Sequence, residues 1–273
     1  MCFLEASEML SESQVAEFHA KGYLRGGRVL SDAEVEELRG ELQRVIDQND
    51  RLERKPVRIS NLSGKADAPV WQIVNIWMAS DAFKRLVGNR AIVEEVAQLT
   101  AARELRIWHD QIQYKPGQIG GINMWHQDSP YWPNIAPLTT ELTAWVALDD
   151  VDEANGCMSM VPGSHAWGKE IDFLHTLKDF NSLPAEHKGR PIEVRLCPVA
   201  KGEVHYHHPL TWHGSHANKS GRPRRAIALH YMTQDTVYVE SGNHIMKPYV
   251  TVSDGEKLQG EFFPQVWPIG ASS

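Results

Sequence analysis

Over the first hundred positions apolar residues recur at intervals of three and four, whereas beyond about Glu104 they fall in short runs separated by glycine and proline. The first spacing is that of helices with one apolar face, and the second is that of short strands. Ser11 followed by Gln14, with Val15 and Phe18 behind them, predicts a short capped helix that Gly22 ends before a strand-like Tyr23-Leu24. Ser31 and Glu34 repeat the capping pattern ahead of Val35, Leu38, Leu42, Val45 and Ile46, which predicts a stronger helix running to the polar stretch Asp47 to Asp50. Residues 51–69 are charged and broken by Pro56, Gly64 and Pro69, the composition of a surface loop or flap, and the apolar segment Trp71 to Met78 follows. Ser80 or Asp81 can cap another helix, with helical pieces expected at about 81–87 and 90–100.

The β-type segments are Leu105 to Tyr114, closed by Lys115-Pro116-Gly117; Thr143 to Leu148; Cys157 to Val161, closed by Pro162-Gly163; Glu193 to Leu196; and Ala226 to Met232. Short strands with turn residues between them predict a mainly β fold, a Greek-key sandwich or jelly roll, with the early helices covering one face. The polar insertion 164–190 is long enough to be a lid or substrate loop. At 273 residues and 42% hydrophobic composition, one domain is expected: a helical part to about 103, a core over about 104–232 and a C-terminal extension over 233–273.

Composition narrows the class of partner. Lys and Arg number 28 against 35 Asp and Glu, a formal charge of −7 without a basic run, so neither nucleic acid nor an anionic membrane is indicated and a small-molecule substrate fits better. Cys2, Cys157 and Cys197 are odd in number, far apart and without a C-x-x-C pair, which argues against a disulfide framework or a thiolate zinc site and for the cytoplasm. Met1 to Glu5 shows no export signal, and no apolar run reaches membrane-spanning length.

The candidate chemistry lies in His126-Gln127-Asp128 and His213. Two imidazoles and one carboxylate can occupy one face of a ferrous ion and leave positions for an organic co-substrate and dioxygen. The tripeptide follows a β-type run and a turn containing Gly117, Gly120 and Gly121, and strand alternation is expected to place His126 and Asp128 on one side. The third ligand has rivals, because His205, His207, His208 and His216 crowd around His213, and a His-x-His pair at 205 and 207 could build a cupin-like site instead. His213 is favoured by its followers. Ser215 and Arg224 supply a hydroxyl and a guanidinium able to clamp the distal carboxylate of a diacid. Alternation along the strand from Ala226 turns Arg224 inward and Arg225 outward, with Arg222 a further alternative. Most of the nine tryptophans are expected in the core, with Tyr131, Trp132, Trp71 and Trp77 as candidate pocket members.

Lys115-Pro116-Gly117, Trp125-His126-Gln127-Asp128, Trp145-Val146-Ala147-Leu148-Asp149, Asn155-Gly156-Cys157, Pro162-Gly163-Ser164-His165 and His213-Gly214-Ser215 through Asn218 to Arg224 together resemble the phytanoyl-CoA dioxygenase family of iron(II)- and 2-oxoglutarate-dependent oxygenases, over roughly residues 105–232. The resemblance implies a double-stranded β-helix. It further implies that His126, Asp128 and His213 bind Fe(II), that Arg224 and Ser215 hold 2-oxoglutarate, and that Gln113, Gln127 and Trp145 are weaker co-substrate contacts. Asp128 is the carboxylate that related halogenases lack, so the resemblance implies hydroxylation of an unactivated C–H bond with O2, releasing succinate and CO2. Substrate identity is expected in residues 50–80, 131–134, 164–190 and 233–273. A cupin-like metal isomerase or lyase, and a metal-free jelly-roll binding module, are the alternative readings.

Overall fold

The computed structural model describes residues 9–67, 69–117 and 121–270; Cys2, the Met1 to Glu5 segment and Gly120 lie outside the described residues. Both capping boxes form. Ser11 caps the helix Glu12–Lys21, which ends where Gly22 takes a left-handed φ of 79°, and Ser31 caps Asp32–Asp47. Ser80 caps Asp81–Val87, and Arg90–Thr100 follows. These helices lay Val35, Leu42, Phe83, Val93 and Val96 against one face of an eight-stranded antiparallel sheet, whose Ala144, Val146, Tyr206, Ile227, Leu229 and Tyr231 point toward them.

The order in that major sheet is Tyr23–Arg28, Glu203–His207, Glu141–Ala147, Arg224–Thr233, Leu105–Lys115, Trp71–Val74 and Arg58–Asn61, with Gln265–Trp267 also paired to the start of Leu105–Lys115. A minor sheet of four strands, Arg195–Cys197, Met158–Met160, His213–Ser215 and Asn123–His126, completes the jelly roll. The mainly β double-stranded β-helix with flanking helices is thus the observed fold.

Three departures from the sequence reading bear on the site. Residues 51–69 are not only loop, because Arg58–Asn61 pairs with Trp71–Val74 and lengthens the major sheet. Glu203–His207 is a central strand, although its alternation of Val204 and Tyr206 with His205 and His207 is hidden by counting buried histidines as polar. Between Leu105–Lys115 and Arg224–Thr233 the register slips at Trp108, so that His230 faces His109 and Tyr231 faces Ile107. This bulge lets Ile107 serve the helical core while Trp108 joins a separate cluster with Trp132, Met246 and Phe263 of the C-terminal segment.

Candidate active site

His126 and His213 are direct cross-strand partners in the minor sheet. The strands can approach because Gly214 separates His213 from Ser215: a Cβ there would lie 2.8 Å from the Asn123 carbonyl. The Nδ1 of His126 lies 2.7 Å from the Met124 carbonyl, and that of His213 lies 2.9 Å from the Thr211 carbonyl. A carbonyl only accepts, so each ring carries a proton on Nδ1, and its neutral form keeps the lone pair on Nε2 for a metal. Both Nε2 atoms face Asp128 Oδ1, at 3.6 Å from His126 and 3.4 Å from His213.

Asp128 reaches that point by a different route from the one alternation predicts. The strand stops at His126, and Asp128, at φ −74° and ψ −57°, begins the helical turn Ser129–Tyr131. Its backbone N–H donates to the Pro209 carbonyl at 2.8 Å, which ties the turn to the loop before His213. The second carboxylate oxygen, Oδ2, accepts from Thr143 Oγ1 at 3.0 Å and from His207 Nε2 at 3.1 Å, both on the major sheet. One oxygen is thereby held and the other left free beside two imidazole lone pairs. The three ligand atoms lie within 4.8 Å of one another, the one such group found among the described residues.

Electrostatics agree with a site awaiting a cation. Burial pushes Asp128 upward, but the neighbouring His213 and His207 outweigh it and hold the carboxyl well below the usual range. Burial, reinforced by His213, lowers His126 to about 4, so its ring is neutral and able to ligate. The rival pair is arranged otherwise. His207 donates its Nε2 proton to Asp128, and both ring nitrogens of His205 lack hydrogen-bond partners among the described residues, with that ring stacked on Tyr23 at 5.7 Å.

A second polar group lies beside the first. Arg224 is fully buried; its Nη1 donates to the Gly156 carbonyl at 2.7 Å, its Nη2 donates to Gln113 Oε1 at 3.0 Å, and its Nε has no partner among the described residues. Its guanidinium lies 5.4 Å from the Trp145 ring centroid, and the Trp145 N–H is likewise buried and without a partner among the described residues. Lys115, which sequence reasoning took for a turn residue, is the last residue of its strand and is buried, with Nζ donating to Ser215 Oγ at 2.8 Å and to the His216 carbonyl at 3.1 Å. Neither side chain has a carboxylate partner among the described residues. Burial, then the charge of Arg224, lowers Lys115 to about 6. A buried guanidinium without a counter-anion, beside a buried amine and an unpartnered N–H, is costly unless an anion completes the group. The donor set therefore fits an acidic co-substrate, with Lys115 and Ser215 in the cavity wall and Arg224 directly behind.

The other arginines are occupied elsewhere. Arg225 pairs with Asp149 on the opposite face, and Arg222 pairs with Asp152 near the surface. Gln127 is a correction, because its amide turns out of the cavity, donating to the Gly168 and Leu210 carbonyls and accepting from the Glu170 N–H. It clamps the segment after residue 163 in place. Trp77 also leaves the pocket for the helical core.

Between the sheets a cavity of about 680 Å³ reaches His126, Asp128, His213, Lys115, Gln113 and Trp145. Trp71, Tyr131, Trp132, Leu174 and His175 line it as well, so each of the segments 50–80, 131–134 and 164–190 contributes. The C-terminal segment adds Asn243, His244 and Ile245.

A family model described as phytanoyl-CoA dioxygenase (PhyH) matches residues 18–226. The chain belongs to the phytanoyl-CoA dioxygenase family. The bovine (Bos taurus) peroxisomal phytanoyl-CoA dioxygenase is 25% identical over 260 residues, covering 87% of this chain and 73% of the relative. Among solved structures, the non-heme alpha ketoglutarate dependent carbocyclase SnoK from nogalamycin biosynthesis is 29% identical with a TM-score of 0.73, covering 94% of this chain and 96% of its own. The epimerase SnoN, in complex with Fe3+, alpha ketoglutarate and nogalamycin RO, is 25% identical with a TM-score of 0.75, covering 93% and 98%. The similar structures thus include one named for a carbocyclisation and one for an epimerisation. Among the described residues no helix is long and apolar enough to cross a membrane.

Proposed function

We propose that this protein is an Fe(II)- and 2-oxoglutarate-dependent oxygenase that hydroxylates an unactivated C–H bond of a small organic molecule. The observation that carries the reading is the convergence of His126 Nε2, Asp128 Oδ1 and His213 Nε2 beside a buried guanidinium and a buried amine that have no carboxylate partner among the described residues. His126, Asp128 and His213 hold the iron, and Lys115, Ser215 and Arg224 hold the distal carboxylate of 2-oxoglutarate, with Gln113 orienting the guanidinium and Trp145 offering its free N–H. When bound, iron and 2-oxoglutarate supply an oxidant from O2, with succinate and CO2 released.

The chain's own contribution is placement. Backbone carbonyls set the tautomers of His126 and His213, so neither ring must reorient to ligate. Thr143 and His207 hold Oδ2 and direct Oδ1 inward. Trp125, donating to the Phe180 carbonyl at 2.8 Å, anchors the segment following residue 163 over the ligand strand, where Leu174 and Leu177 help exclude water from the cavity. The 273 residues act as one unit, and the two buried free thiols Cys157 and Cys197 suit work in the cytoplasm.

The test is succinate formation from 2-oxoglutarate by purified protein with Fe(II) and O2, coupled to product analysis. Formation that depends on iron and disappears in Asp128→Ala supports the proposal. Turnover of a substrate under nitrogen without 2-oxoglutarate would instead establish a metal-dependent isomerase or lyase on the same fold.

A further inference from the structure

The cavity holds a second group of imidazoles. His109 and His230 are cross-strand partners whose rings meet at 4.5 Å between centroids, His244 stacks on His109 at 5.4 Å, and Trp132 packs edge-on to His230 at 4.7 Å. All four line the cavity, and none of them has a place in the proposed iron or 2-oxoglutarate machinery.

The proton count at His230 fixes what it can offer. Asp128 Oδ2 only accepts, so Thr143 gives its one hydroxyl proton to it at 3.0 Å. The Thr143 oxygen must then accept at 2.8 Å from His230 Nδ1, which places the ring proton there. Burial keeps His230 neutral by pushing it down to about 4, so Nε2 is a bare lone pair, and it has no hydrogen-bond partner among the described residues. His109 packs against it, with both ring nitrogens buried and without a hydrogen-bond partner among the described residues. The acceptor that the cavity wall offers is His230 Nε2, and the natural occupant is a molecule that donates to it.

We propose that His230 recognises a hydroxyl group on an uncharged substrate, with its Nε2 accepting the hydroxyl proton and the His109 ring packed behind it. The inference rests on the oxygenase reading, because it treats the same cavity as the substrate site. A carboxylate at this position would set acceptor against acceptor. Among the described residues Arg58 and Lys115 are the Lys and Arg of the wall, and Lys115 is committed to the co-substrate, so the polyphosphate of a CoA thioester is poorly matched. The amides Gln72, Gln111 and Asn243 alternating with Trp71 and Trp132 suit a neutral, oxygen-bearing molecule with a flat apolar face. Because Thr143 bonds to both His230 and Asp128, one hydroxyl links the substrate anchor to the metal-facing carboxylate.

The test uses ¹⁵N-histidine NMR on the zinc-loaded, diamagnetic protein saturated with 2-oxoglutarate, with His230 assigned by His230→Phe. The probes are matched flat alcohols and carboxylates, headed by 2-naphthol and 2-naphthoate. The expected result is an Nδ1–H tautomer for His230, an Nε2 resonance that moves on adding the alcohols, and alcohol affinity at least about tenfold above that of the carboxylates. His230→Phe should lose on the order of tenfold in alcohol affinity. Thr143→Val, which frees the tautomer while keeping side-chain shape, should erode the preference. An Nε2–H tautomer, tighter carboxylate binding, or alcohol binding absent or unmoved by both variants overturns the inference. Iron content, measured separately, distinguishes that outcome from failure of the oxygenase reading.

Discussion

Two histidine pairs lie at this site, three of the four rings in the cavity wall and His205 behind it, and their difference shows what makes a histidine a ligand. His205 and His207 sit two residues apart on one major-sheet strand, the spacing that a sequence search favours, whereas His126 and His213 come from separate strands of the minor sheet. In the second pair a backbone carbonyl takes each Nδ1 proton and leaves both Nε2 lone pairs aimed at one carboxylate oxygen. In the first pair His207 uses its Nε2 proton to hold that carboxylate, and His205 is packed against Tyr23 without a hydrogen-bond partner among the described residues. Proximity to the site is shared; the availability of a lone pair is not.

The comparison breaks most plainly at the ligands themselves. His213→Ala should abolish iron retention and turnover, since two remaining groups cannot hold the ion; iron content after gel filtration reads this directly. Arg224→Ala should weaken 2-oxoglutarate by about 100-fold or more while iron still binds, because a buried charge partner is worth ~2–5 kcal/mol. A titration of co-substrate against succinate rate checks it, and an unchanged constant would leave Lys115 as the main clamp. His207→Ala should cost only about 10- to 100-fold in iron affinity, the scale of a group that orients a ligand. Loss of iron there with retention in His213→Ala would invert the assignment.

The smallest effect concerns pH. Lys115 in the free protein is lowered to about 6 by burial and by Arg224, so at neutral pH its amine is largely unprotonated. A bound carboxylate favours the charged form and raises that value, so binding takes up a proton at any pH between the free and bound values. Affinity for 2-oxoglutarate should therefore fall by up to about tenfold per pH unit as pH rises above 6. Lys115→Met should bind more weakly and lose the slope.

What was legible in the sequence follows the length of each pattern. Capping boxes at Ser11 and Ser31 and the ten-residue strand through Arg224 carry enough repeats to set boundaries and to turn Arg224 inward and Arg225 outward, and the structure has all of these. The minor-sheet strands have only three or four residues each, too few for alternation to register, yet they carry His126 and His213. The family motif located those residues where periodicity could not. Lys115 was hidden because a Lys-Pro-Gly turn is an ordinary surface feature, and its burial depends on Ser215 and the His216 carbonyl, a hundred positions away in the chain. Gln127 misled by adjacency, since its neighbours face the cavity and it faces the opposite way. The His109–His230 pair was invisible for a third reason, as its contact depends on the register slip at Trp108.

The most direct test of the account is iron-edge anomalous diffraction from crystals grown under nitrogen with Fe(II) and 2-oxoglutarate. The predicted result is one anomalous peak bonded to His126 Nε2, Asp128 Oδ1 and His213 Nε2, with the distal carboxylate of 2-oxoglutarate at Lys115 and Arg224. A peak on His205 or His207, or iron-free density in the presence of excess Fe(II), would contradict it.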